Sequence, residues 1–415
     1  GATTETVTFS TGYAKATTVK VDAGDVATNT AADITMTVVA NSDDMEAGDN
    51  TLITGSDKTG VVNTLTLTNK GGTVDLQTDS SAIDVINVVD DTTAGNDLTI
   101  DLTSYATALT LDASALDDGE VLTITGASAK ALTITSGAGA DTLVLSTGND
   151  NISGGAGNDT FTAGTSITYE DTIDGGEGVD TMTTGIVDDI DLQNVTSIEN
   201  MTIDGTSTLG AQASEAGVVQ VTVTGGDSVT STAMTTGVTY VADILSGDDT
   251  LTGGQGDDIF SFSGPLSLED GDVINGTSGV DKIQLDNSTG RVVAETDVDD
   301  LTNIDSMVAK DADGISTSQN DSISINIVSD ARAVAHTFTI DMSAITDAND
   351  DVIMTNAGSA NTFTSYAITG GSGDDIIIGA AASDTIIGGS GADNIDAGLN
   401  NDTLTGGAGA DVFEY

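Results

Sequence analysis

The sequence predicts an all-β protein, an elongated parallel β-solenoid of the β-helix type, on three observations. The first is a strict nine-residue period at 370–414, which reads GGSGDDIII, GAAASDTII, GGSGADNID, AGLNNDTLT and GGAGADVFE without insertion or loss. Each copy has a small residue early, Asp at the sixth place and a large apolar residue at the eighth. The second is a set of short runs in which Leu, Ile or Val alternates with Thr, the two-residue period of a half-buried strand. The third is that blocks of nonads recur along the chain with matching flanks. Repeats of this kind bury their apolar faces on their neighbours, which is how a solenoid is built.

In chain order, residues 1–54 form a Thr- and Ala-rich β segment with strand-like stretches at 6–10 and 34–39. EAGDNTLITG (46–55) looks like a decayed nonad with Asn50 in the Asp place. From 61 the alternation is clear: Leu65 and Leu67 face one way, and Thr64, Thr66 and Thr68 the other. TIDL (99–102), ALTL (108–111), EVLTIT (120–125), ALTIT (131–135) and VVQVTVTG (218–225) repeat it, separated by Gly, Asn, Asp and Ser turns. Only 103–117, with mixed periodicity, leaves room for a short helix.

Fourteen nonads fall in three blocks: 136–183 with a three-residue insertion, 244–284 with a five-residue insertion, and 370–414. The first two are followed by similar tails, DLQNVTSIENMTI (191–203) and DDLTNIDSMVA (299–309). The stretches before the first and third blocks, 109–141 and 338–375, also align. The expected organisation is therefore an N-terminal segment, 1–54, and three cassettes, 55–183, 184–284 and 285–415.

Composition narrows the partners. A formal net charge of -57, from 66 acidic and 9 basic residues, repels nucleic acid and anionic surfaces and attracts cations. The absence of Cys excludes a disulfide framework, a thiolate zinc site and a thiol nucleophile. No apolar run approaches the roughly 20 residues of a membrane-spanning helix. GATTETVTFSTGY has neither a basic nor an apolar leader region, so no Sec-type signal peptide is expected. The start at Gly1 predicts a processed or truncated product.

The nonad has the chemistry of a calcium loop. Early glycines permit tight turns that leave backbone carbonyls pointing into the loop. The sixth-place Asp adds a carboxylate, and calcium takes six to eight such oxygens at about 2.3–2.6 Å. Two nonads make one coil of eighteen residues, so loops n and n+2 stack at about 4.8 Å and share ions. The expected ligands are Asp141, Asp150, Asp159, Asp171, Asp180, Asp249, Asp258, Asp272, Asp281, Asp375, Asp384, Asp393, Asp402 and Asp411. Stacked pairs within the blocks give on the order of eight Ca²⁺. Without metal, neighbours such as Asp257 with Asp258 and Asp374 with Asp375 repel, so calcium binding becomes folding free energy.

These nonads resemble the repeats-in-toxin (RTX) family of calcium-binding β-rolls. The flanking cassettes, DASAL with LTITG and VTSIENMTI, look like segments of surface-layer (S-layer) proteins of Gram-negative bacteria and of large secreted adhesins. The resemblance implies type I secretion, folding outside the cell in calcium, an extracellular location at the cell surface, and self-assembly into a lattice anchored on lipopolysaccharide. Relatives usually continue into a C-terminal secretion signal. This sequence ends at Glu414-Tyr415, so that segment is expected to have been removed or to lie outside it. The alternative is a spacer or binding region of an RTX adhesin.

Other chemistries have less in the sequence to stand on. His336, the single His, lies in RAVAHTFTI without a triad or zinc motif. Arg291 and Arg332 lie outside the nonads, which argues against a calcium-dependent lyase. No enzyme is expected. The Thr64/Thr66/Thr68, Thr123/Thr125, Thr133/Thr135 and Thr222/Thr224 arrays could form an ice-binding face, but they lack a constant coil spacing. Phe161, Phe260 and Phe262 are expected to fill the roll, and Phe413 and Tyr415 to be core or cap residues.

Overall fold

The computed structural model describes residues 61–310 with short gaps, chiefly 76–82, 243–247, 263–267, 287–291 and 294–300, then 337–345, 352–355 and 365–414. Outside these it describes five strands: Thr4–Thr8, Thr18–Lys20, Ile34–Asn41, Leu52–Thr54 and Ile323–Ile325. Asn50, Pro265, Arg291, Arg332, His336 and Tyr415 lie outside the described residues. Among the described residues helix is confined to a 3-10 turn, Asp189–Leu192, and a six-residue helix, Ala211–Ala216. The described residues of 103–117 are not helical: they hold the strand Leu109–Asp112 and turns.

The chain divides into two compact units: residues 1–201 with 215–218, and residues 202–214 with 219–415. Within each, strands pair in parallel, and successive strands alternate between facing sheets. This is a β-solenoid. In the first unit one sheet carries an unbroken column of apolar side chains, Leu65, Ile86, Leu111, Ile134, Ile152, Ile173 and Val195, each opposite the next. The facing sheet stacks Val74, Ile100 and Ile124, then Leu143, Phe161 and Met182. All of these are buried, while the intervening Thr residues are half-buried or exposed, so the Thr/apolar alternation becomes an inner and an outer face.

The second unit repeats the plan with larger residues. Its longest column runs Val221, Tyr240, Phe260, Ile283, Met307, Ile340, Ile368, Ile386, Leu404. The Tyr240 and Phe260 rings stack with centroids 4.9 Å apart. Phe338 and Tyr366, also register partners, meet edge to face at 6.4 Å. The facing column at the C-terminal block is Met354, Ile377, Ile395, Phe413.

Insertions do not disturb this register. In the C-terminal block the sixth-place residues of stacked loops lie 18 residues apart; across the first insertion the distance is 21 and across the second 23. In the first block a bulge falls between Thr162 and Gly164. Register survives because a one-residue slip would turn every apolar side chain outward. Phe260, fully buried and stacked, shows what one column position contributes. Phe260→Ala should cost about 3–5 kcal/mol, read as a lowered urea midpoint at unchanged slope in calcium.

Candidate calcium-binding site

The nonad loops sit at the turns between the two sheets, and stacking brings the sixth-place residues into columns. Twelve of the fourteen expected aspartates are buried; Asp402 and Asp411 are half-buried. They do not converge side chain on side chain. Among the described residues no group of three or more His, Cys, Asp or Glu comes together as a metal cluster. Each carboxylate instead joins a ladder running from coil to coil.

In the first unit the Leu122 amide donates to Asp141 Oδ1 at 2.7 Å, the Asp141 amide to Asp159 Oδ1 at 2.7 Å, and the Asp159 amide to Asp180 Oδ1 at 2.8 Å. The loops on the other side repeat this: Leu132 donates to Asp150, and Asp150 to Asp171. In the second unit the amides of Val238 and Asp258 donate to Asp258 and Asp281. Those of Val352, Asp375 and Asp393 donate to Asp375, Asp393 and Asp411. Tyr366 and Asp384 donate to Asp384 and Asp402, and Asp249 donates to Asp272.

The sequence assigned these side chains to metal alone; the structure gives them a second task. One oxygen caps the preceding coil's sixth-place amide. The other turns into its own loop, where for Asp150, Asp258 and Asp375 it accepts the amide four residues earlier at 2.7–2.8 Å. For Asp159, Asp180 and Asp393 that second oxygen is buried and has no hydrogen-bond partner.

These second oxygens, paired or not, face a recurring hollow. A Cβ added at Gly154 would overlap both Asp159 Oδ2 and the Gly175 carbonyl oxygen of the next coil. At Gly388 it would meet Asp393 Oδ2 and the Gly406 carbonyl, and at Gly370 Asp375 Oδ2 and the Gly388 carbonyl. Each first-place glycine thus leaves room where a carboxylate oxygen and a carbonyl oxygen from successive coils converge. At the fourth place the approach is equally close: Gly391 has φ +124, and its Cβ would strike the Gly373 carbonyl. Only glycine combines that conformation with that contact.

Burial without a cation has an electrostatic cost. It pushes Asp159 up to about 7, helped by the charges of Asp141 and Asp180 and opposed by the Asp141 amide. Asp249 is pushed up to about 6 by burial, with Asp272, Asp227 and Asp248 adding to it. Asp141, Asp150, Asp180, Asp258 and Asp393 are also raised, with burial the first cause in each.

Three acidic residues outside the nonads extend the ladders, and the sequence reading passed over them. Glu199 accepts the Asp180 amide at 2.8 Å and Asp305 the Asp281 amide at 2.8 Å. The Asp227 amide donates to Asp249 Oδ1 at 3.0 Å. A signal existed: Asp227 sits two residues before the buried Val229, as a nonad Asp sits before its apolar residue, and Glu199 and Asp305 hold equivalent places in the two tails.

An apolar turn from the preceding coil packs against a nonad loop in each block. Leu116, Met234 and Ile345 are buried, and their carbonyls accept the third-place amides of Ala138, Gln255 and Ser372 at 3.1, 2.8 and 3.1 Å. Before the first and third blocks the aligned segments therefore supply the surface on which the first loop is laid; in the second block Met234 receives the second nonad, 253–261.

Comparison with protein families matches the RTX calcium-binding nonapeptide repeat (4 copies) at residues 135–165, 168–191, 245–264, 369–404 and 387–414. The chain carries RTX calcium-binding nonapeptide repeats, and each matched segment overlaps one of the three ladder-bearing blocks. Neither the curated proteins nor the solved structures provide a match. The loops fit the ion this family binds. Calcium takes hard oxygen donors in flexible geometry, and the hollows offer carbonyls and one carboxylate oxygen per loop, with no nitrogen or sulfur ligand. Sixth-place aspartates and first-place carbonyls would hold it, and bound calcium would supply the positive charge that the buried carboxylates lack.

Asp393 separates the two tasks of the ladder. Asp393→Ala leaves the buried Asp375 amide without its acceptor and should cost about 1–3 kcal/mol in urea unfolding. Asp393→Asn keeps an acceptor oxygen but removes the charge. It should fold nearly as well as the parent in saturating calcium while needing more calcium to reach that state.

Proposed function

We propose that the protein is a structural component of a bacterial surface layer. It would be secreted, would fold as calcium enters its loops, and would assemble with copies of itself into an extracellular lattice. The observation that carries this reading is the investment of residues in stacked coils and buried carboxylate ladders, with calcium-binding repeats in three separate blocks. That is the construction of a rigid, ion-dependent building element. RTX repeats are typical of secreted proteins, and no helix among the described residues is long and apolar enough to cross a membrane.

The surface chemistry supports self-association through cations. Asp257 and Asp374 are exposed beside buried ladder residues, on a chain of net charge -57. Two such surfaces repel until divalent ions bridge them. The same bridging chemistry would anchor the layer to the phosphate groups of lipopolysaccharide.

The test is electron microscopy of negatively stained protein with calcium and with EGTA. Ordered sheets that form on calcium addition and dissolve in chelator are the expected result. A chain that folds with calcium yet stays monomeric at high concentration would overturn the lattice and favour the adhesin spacer.

A further inference from the structure

The tails after the first two blocks take the place of a nonad loop without having its sequence. Strand Val195–Thr196 pairs with strand Thr172–Asp174, so the turn at 197–199 lies on the last nonad loop, 175–180. The Gly175 amide donates to the Thr196 carbonyl at 3.0 Å, just as the Gly154 amide one coil earlier donates to the Asp174 carbonyl at 2.8 Å. A Cβ on Gly175 would overlap the Ser197 carbonyl oxygen and press on Asp180 Oδ2, as one on Gly154 would meet the Gly175 carbonyl and Asp159 Oδ2. Asp180 is fully buried, and this Oδ2 has no hydrogen-bond partner. Glu199 completes the ladder on the Asp180 amide.

The second unit builds the same arrangement independently. Strand Leu301–Thr302 pairs with strand Val273–Asn275, and the Gly276 amide donates to the Thr302 carbonyl at 3.0 Å. A Cβ on Gly276 would meet the Asn303 carbonyl and Asp281 Oδ2, and Asp305 takes the Asp281 amide. Ser197 and Asn303 have φ 55 and φ 54, a left-handed conformation uncommon outside glycine. Both tails hold it at the residue whose carbonyl enters the hollow.

We propose that each tail closes a further divalent-cation site, formed by the Ser197 carbonyl and Asp180 Oδ2 around Gly175, and by the Asn303 carbonyl and Asp281 Oδ2 around Gly276. Glu199 and Asp305 supply the adjoining negative charge. The proposal rests on the reading that the nonad loops bind calcium, and it adds one ion to each of the first two blocks. These sites differ from those between nonads. Two residues separate Thr196 from Glu199, against five between Asp174 and Asp180, so the tail turn offers fewer carbonyls. Gly178 and Val179 are exposed beside it. Water completes the coordination there, and the tail ions are the weakest-held and the most hydrated.

Equilibrium dialysis of the full chain against radioactive calcium tests this. The parent should bind on the order of ten ions, the weakest class matching the two tails. The double variant Glu199→Gln, Asp305→Asn keeps an oxygen for each ladder amide while removing both charges. It should lose that class, or bind it at least tenfold more weakly, with the tighter ions unchanged. As a second variant, Gly175→Ala fills one hollow without altering charge and should remove one ion. Terbium luminescence decay in light and heavy water should find the weakest ions coordinated by more water than the rest. Calcium binding by the parent with no change in number or affinity in either variant would overturn the tail sites and leave the nonad reading standing. Absence of calcium binding by the parent would overturn both.

Discussion

Chelation is expected to abolish most of the β-sheet circular dichroism of this chain at neutral pH, and added calcium to restore it. Twelve sixth-place aspartates are buried in the loop columns. An uncompensated buried carboxylate costs several kcal/mol even after relaxation. The ladder amides offset part of that cost, since charge-assisted hydrogen bonds are the stronger kind. They cannot offset it for oxygens such as Asp159 Oδ2 and Asp393 Oδ2, which have no partner. Whole-domain stabilities are only about 5–15 kcal/mol, so a few unneutralised loops suffice to unfold a unit. Retention of the full β signal in excess EGTA at pH 7.5 would contradict the account.

Acid is expected to replace calcium in part. The ordinary carboxylate value is near 4, whereas folded Asp159 lies at about 7 and Asp249 at about 6. A value raised by folding means that the folded state binds the proton more tightly than the unfolded chain does. The stability this provides is complete below about pH 4 and is lost as pH rises through about 6 to 7. In calcium-free buffer the chain should therefore regain β signal as pH falls from 8 to 5, while the calcium-loaded chain changes little over that range. A metal-free chain that loses structure steadily on acidification would contradict this, because it would place the ladder carboxylates at ordinary values.

Much of this was legible in the sequence, for a physical reason. A nine-residue period with Asp and an apolar residue in fixed phase admits one stacking, and the columns Ile368, Ile386, Leu404 and Ile377, Ile395, Phe413 realise it. The Thr/apolar runs likewise mark the inner and outer faces, as with buried Leu65 and Leu67. Less visible were features that depend on a partner a coil away. Nothing local to Asp159 says that its Oδ1 will cap the Asp141 amide. Glu199 and Asp305 carry the ladder role without a glycine-rich loop, so a motif-based reading sees only a repeated tail. Leu116, Met234 and Ile345 act through their carbonyls, and a main-chain acceptor leaves little trace in residue identity.

The central claim is that calcium holds the carboxylate ladders together across coils. Hydrogen exchange at the amides of Asp141, Asp159 and Asp375, which donate to the next coil's carboxylate at 2.7, 2.8 and 3.0 Å, tests it most directly. With calcium these amides should be among the slowest in the chain, and in EGTA at neutral pH they should exchange at close to unfolded rates. Equal protection with and without calcium would mean that the ladders stand without the ion, and would contradict the claim.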